Sequence, residues 1–167
     1  DELVALIEEI GPEMLVNGRM PTLSTWLDTL PLEILSTHPS IISLQGVIAS
    51  YTGDMTLALN LYNQALNAMN LPQDRQAMAR CLVWQASTQR LAGNLNTAIT
   101  DAHEVIRLIA DDPGMEKIKA EAMRCIGKCE RWRKNPGSLI FYRIWRGRVP
   151  AGWVEVRRFG ILRHLAR

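Results

Sequence analysis

The sequence predicts an all-α protein built from stacked antiparallel helix hairpins, and three observations carry that prediction. The stretch Gly53-Asp54-Met55-Thr56-Leu57-Ala58, continuing to Leu66, returns forty residues later as Gly93-Asn94-Leu95-Asn96-Thr97-Ala98, continuing to Ile106. Apolar residues recur at helical spacing up to about Arg131, and no convincing strand pattern breaks into them. In both copies a Gly supplies a positive-φ stop for one helix, an Asp or Asn is placed to cap the next, and a small Ala follows five residues after the Gly. That Ala lets the second helix lie close against the first. One such hairpin cannot bury its own apolar face, so repetition implies stacking and places function on the surface.

The elements follow in order. Leu3, Leu6, Ile7 and Ile10 form a helical stripe that Gly11-Pro12 is expected to interrupt, with Met14 and Leu15 resuming it and Gly18 stopping it. Pro21-Thr22 opens a second helix with Leu23, Trp26, Leu27 and Leu30 on one face, and Pro31 ends it. A short helix reaches Leu35, and His38-Pro39 breaks the chain. Further helices are expected over about 39–52, from Asp54 to about Asn70, from Asp74 to Ala92, on to about Ile109, and from Met115 to about Arg131. Asp111-Asp112-Pro113-Gly114 reads as a turn.

Bulk properties set the bounds. A chain of 167 residues holds one domain, or roughly four hairpins of this size. With 47% hydrophobic and 22% charged residues its composition is that of a soluble globular protein. No apolar run approaches the roughly 20 residues of a spanning helix, and the acidic N-terminus is unlike a signal peptide, so no membrane role is expected. Cys81, Cys125 and Cys129 make no even disulfide framework, which leads to the expectation of a reducing, cytoplasmic setting. The chain begins within a helical pattern and without a Met, as a piece of a longer protein would.

Gly46 inside the first helix of the first hairpin, Gly53 at its turn, then Ala58, Tyr62 and Ala65, resemble a tetratricopeptide repeat. The second hairpin keeps Ala86, Gly93 and Ala98 but has Ala102 in place of the Tyr, and the two together cover about residues 39–113. The period exceeds the 34 residues of the standard repeat, which indicates longer helices. Upstream, Gly18, Arg19, Leu23, Trp26, Leu27, Leu30, Pro31 and Pro39 resemble the junction that opens the helical-repeat region of large ATP-dependent, LuxR-type bacterial transcription regulators of the maltose-regulator kind. The resemblance implies a tetratricopeptide-like right-handed superhelix over residues 1–130 that senses a small-molecule inducer, or binds a protein partner, and takes part in self-association. It also implies an upstream nucleotide-binding module and a downstream helix-turn-helix. No G-x-x-x-x-G-K-[ST] loop is present in this chain and no recognition helix can be read in residues 1–130, so on this resemblance DNA is expected to be reached only through domains outside it. The alternative is a stand-alone repeat scaffold for a peptide or protein. Its carboxylate-clamp version is disfavoured, because Ser43, Val47, Val83 and Ser87 stand where the clamp would be.

Charge divides the chain unequally. Residues 1–130 carry nine Lys/Arg against sixteen Asp/Glu, a balance of −7, whereas residues 131–167 carry ten against one, a balance of +9. The tail also holds three of the five Trp and both Phe, and its repeat pattern fades after Gly127 and Asn135. Three readings stand open for 131–167: a basic aromatic tail that contacts nucleic acid or an acidic protein, a divergent last hairpin, or a shifted reading frame.

Catalytic chemistry is not indicated. His38 precedes a proline, His103 lies on a helix face and His164 lies in the tail, and no nucleophile–base order, paired-carboxylate motif or Gly-rich loop stands out. Cys125 and Cys129 share a helix face without further ligands at zinc spacing, so packing thiols are expected and neither metal nor cofactor. In stacked hairpins the first helix of each pair lines the concave side. That places Ser40, Ser43 and Tyr51, then Arg80, Ser87 and Arg90, then Arg124, Lys128 and Arg131 in a groove suited to an anionic, phosphorylated or polyhydroxylated ligand, or to an acidic peptide. The same residues also fit the solvated side of amphipathic helices.

Overall fold

Where the chain reverses is decided by glycine. The computed structural model describes residues 2–137, and these are all-helical: α1 (Glu2–Val16), α2 (Met20–Asp28), α3 (Leu32–Thr37), α4 (Pro39–Thr52), α5 (Met55–Ala68), α6 (Arg75–Ala92), α7 (Leu95–Leu108) and α8 (Glu116–Lys134), with no strand among them. Gly53 and Gly93 end α4 and α6 in the left-handed region, at φ +102° and +96°. That geometry turns the next N–H back onto the helix: Asp54 N–H donates to Ala49 O at 2.9 Å, and Asn94 N–H to Gln89 O at 2.9 Å. The two turns then differ. Asp54 Oδ1 accepts from Leu57 N–H at 2.9 Å and caps α5. Asn94 makes no such cap; its amide donates to Gln89 Oε1 at 2.7 Å instead. The expectation that both residues cap holds for Asp54 alone, because an amide satisfied by the preceding helix no longer turns toward the following one.

Each turn closes a hairpin, α4 with α5 and α6 with α7. Helix α5 then packs on α6 and α7 on α8, while α4 touches α6 and α6 touches α8 directly. The first helices of successive hairpins are therefore neighbours. Close approach within the hairpins comes from small residues: Ala58, Ala65, Ala98 and Ala102 are fully buried. The Tyr62 ring lies on Gly46, where an added Cβ would stand 2.7 Å from Cε1. Burial holds the Tyr62 phenol well above its ordinary pKa, with Thr88 of α6 beside its hydroxyl pulling it part of the way back. Thr88 Oγ1 in turn donates to Ser50 Oγ at 3.0 Å, so a small buried polar chain ties α4, α5 and α6 together.

Helix α1 corrects one sequence expectation. It runs unbroken through Gly11 and Pro12. Pro12 removes one donor to the Glu8 carbonyl, and a proline inside a helix costs about 3 kcal/mol. Burial of Val4, Ile7, Met14 and Leu15 from the same helix offsets it, at about 1.5–3 kcal/mol for each fully buried side chain. Gly11 is a contact rather than a stop: a Cβ there would lie 2.9 Å from Leu44 Cδ1 of α4. Apolar side chains form two clusters, one from α1 through α5 with Cys81 of α6 and the other from α6 through α8, and Leu66, Met78 and Trp84 pack against both. Helix α8 begins next to Met115, as expected, and extends past Arg131 to Lys134. Beyond residue 137 the basic tail lies outside the described residues.

Two glycines at equivalent repeat positions should respond oppositely to Ala. Gly46→Ala collides with the buried Tyr62 ring and should cost about 1–3 kcal/mol by overpacking. Gly127, exposed within α8, has nothing within 4 Å of a built Cβ, so Gly127→Ala should gain about 0.5–1 kcal/mol of helix propensity. Denaturant midpoints of the two variants against wild type check both signs.

Candidate functional site

The neighbouring first helices bring separate stretches of sequence to one cavity. Tyr51 comes from the end of α4, Ser87 and Arg90 from the C-terminal half of α6, and Glu121, Arg124, Cys125 and Lys128 from successive turns of α8. The cavity they line has a volume of about 330 Å³. Its charges are unequal, with three cations facing one carboxylate. Glu121 lies 3.5 Å from Arg124, on an exposed i,i+3 pair that is worth little in stability. Among the described residues neither Arg90 nor Lys128 has a carboxylate partner.

Arg90 is the most constrained of the three. Its guanidinium lies over the Trp132 ring, 4.7 Å from the centroid, and its Nε is buried with no hydrogen-bond partner among the described residues. Stacking of this kind fixes the plane of the guanidinium and directs its remaining donors. Partial desolvation lowers the pKa of Lys128 first, and the positive charges of Arg90 and Arg124 lower it further. Cys125 forms part of the wall. Burial pushes its thiol up, against the opposing pull of Arg90, a hydrogen bond with Cys129 and the charge of Lys128. Cys129 is fully buried and pushed up to about 12, by burial first and by Cys125 second. Both are packing thiols, protonated at neutral pH.

Ser40, Ser43 and Arg80 are elsewhere. With Glu8, Pro12, Leu44, Ala77 and Trp84 they line a separate depression of about 30 Å³, room for about one water. Ser43 is 3% exposed and its hydroxyl donates to Ser40 O at 2.7 Å, so that group serves the backbone of α4 and not a ligand. The groove expected from sequence is thus divided: Tyr51, Ser87, Arg90, Arg124 and Lys128 meet, while Ser40, Ser43 and Arg80 lie in the other depression and Arg131 lines neither. Glu121, Cys125 and Trp132 were missed. Glu121 was legible as the i,i+3 companion of Arg124. The Arg90–Trp132 pair has no local signature, since the two are brought together only by packing of α6 on α8.

Comparison with family models, with curated proteins and with solved structures gives no match. Among the described residues no cluster of His, Cys, Asp and Glu could hold a metal ion, and no helix is long and apolar enough to cross a membrane.

Outside the cavity, Asp101 on α7 is a buried liability. Its Oδ2 is buried without a hydrogen-bond partner among the described residues, and burial raises its pKa to about 6 from 3.8. A carboxyl raised in the folded state favours folding when protonated, so its benefit is full below the unfolded value near 3.8 and is lost as pH rises through about 6. Asp101→Asn should therefore leave stability at pH 4 nearly unchanged and raise it at pH 8, by about 1 kcal/mol once solvent screening of this half-buried group is allowed for. Urea melts at the two pH values check the crossover.

Proposed function

We propose that this chain is the ligand-sensing, protein-interaction segment of a bacterial transcription regulator, a tetratricopeptide-like right-handed superhelix whose concave side is lined by α4, α6 and α8. The observation that carries the binding part of this reading is the cationic cavity, because its walls come from three helices far apart in sequence, α4, α6 and α8. A ligand held there contacts all three at once, and its binding energy favours one relative setting of the hairpins over others. That is how a stack of repeats converts occupancy into a change of shape. The regulator part rests on the resemblance of Gly18, Arg19, Leu23, Trp26, Leu27, Leu30, Pro31 and Pro39 to the repeat-region junction of LuxR-type regulators. Catalysis is no part of the reading: burial keeps the Cys125 thiol in the cavity wall protonated. Sensing and self-association remain the roles such a segment performs.

A thermal-shift screen of oligosaccharides, nucleotides, sugar phosphates and acidic peptides should return ligands that raise the melting temperature by mass action. The Arg90→Ala/Arg124→Ala variant should lose at least most of that shift. Size-exclusion chromatography with and without the strongest hit should show a change in self-association. A shift undiminished in the double variant would place binding elsewhere on the chain, and an unchanged oligomeric state would remove the regulatory part of the reading.

A further inference from the structure

We propose that the cavity between α4, α6 and α8 is a site for a phosphomonoester carried on a small polyhydroxylated body, with the phosphate held by Arg90, Arg124 and Lys128. The proposal rests on the reading of this face as a ligand-binding surface and names the ligand class.

Three properties of the site lead there. The first is charge. Three cations and the single carboxylate of Glu121 leave a surplus of two positive charges, which a phosphate dianion balances and a monocarboxylate does not. Desolvation first, and then repulsion from Arg90 and Arg124, lowers the pKa of the Lys128 ammonium, and an anion among them relieves the second of these. The second is donor geometry. Arg90 is clamped on the Trp132 ring with a buried Nε that has no hydrogen-bond partner among the described residues, while Lys128, two turns of α8 away from Glu121, supplies a movable point charge. A fixed fork beside a flexible ammonium is a combination that grips the several oxygens of one phosphate. The third is size. A volume of about 330 Å³ is at the small end of the roughly 300–1,000 Å³ of small-molecule sites. A compact ligand fills it, and a folded partner does not.

The remaining lining specifies the body of the ligand. The Glu121 carboxylate accepts hydrogen bonds and would repel an anionic body, and the Ser87 hydroxyl both donates and accepts. Tyr51 is 47% exposed, so its ring offers a face to the C–H side of a sugar or cyclic polyol. Acceptors and a flat ring set beside a cation cluster match hydroxyl groups next to a phosphate.

Isothermal titration of the full chain with four probes tests this: inorganic phosphate, a hexose 6-phosphate, the free hexose and a hexuronate. The hexose phosphate should bind about tenfold or more tighter than either the free hexose or the hexuronate, the gain expected when charge-assisted bonds form. Arg124→Gln and Lys128→Gln should each weaken it about tenfold, whereas Arg107→Gln, which alters an exposed pair with Glu104 on α7, should not. Glu121→Gln should weaken the hexose phosphate but not inorganic phosphate. Equal binding of hexose and hexose phosphate, or phosphate binding indifferent to Arg124 and Lys128, would overturn the proposal. If another ligand class binds and is lost in Arg90→Ala/Arg124→Ala while hexose phosphate does not bind, the ligand-binding reading survives and the phosphomonoester assignment falls.

Discussion

The contact on which the rest of the structure depends is the Tyr62 ring against Gly46. With no Cβ at Gly46, α5 approaches α4 closely enough for the ring to lie on bare backbone, with Ala58 and Ala65 completing the contact. The same ring then carries its hydroxyl toward Thr88 of α6, and Thr88 reaches Ser50 of α4. One side chain thereby sets the spacing within the first hairpin and the placement of the second hairpin on it. Buried polar groups are costly when unpaired, so this chain of hydroxyls specifies one seating of α6 where apolar contacts alone would allow several. The second hairpin has Ala102 at the corresponding position, fully buried, and achieves closeness by small size alone.

That seating produces the cavity. Tyr51 lies next to Ser50, and Ser87 lies next to Thr88, so the residues that lock α4 to α6 alternate with those that face outward from the same turns. Helix periodicity links the two: a helix that buries Ser50 and Thr88 presents Tyr51 and Ser87 a hundred degrees around its axis. The polar surface is thus a by-product of core geometry up to this point. The clustering of cations is not: beyond its desolvation, the charges of Arg90 and Arg124 lower the pKa of Lys128, a local electrostatic cost that core packing does not require. Such a concentration of like charge in a cleft marks a candidate functional site.

Asp101 shows the same contrast from the other side. A half-buried carboxylate with an unsatisfied oxygen weakens the fold at neutral pH, yet it lines neither cavity. No structural reason for it appears among the described residues.

The sequence by itself determined the helices, their pairing and most of their ends, because those follow from local rules: apolar period, Gly at positive φ, Asp at an N-cap and small residues at crossings. It also placed Arg90, Arg124 and Lys128 on first helices, where periodicity sufficed. Gly11-Pro12 misled, since local punctuation suggested a break while burial against Leu44, a tertiary matter, kept α1 whole. Asn94 misled likewise, as its amide had a second partner in Gln89. Only the tertiary structure decided that Ser40, Ser43 and Arg80 of one end separate from the cations of the other and that Trp132 backs Arg90. Those outcomes depend on the offset between α4, α6 and α8. That offset is fixed by side chains packed across gaps of tens of residues, and no period within a single helix encodes it.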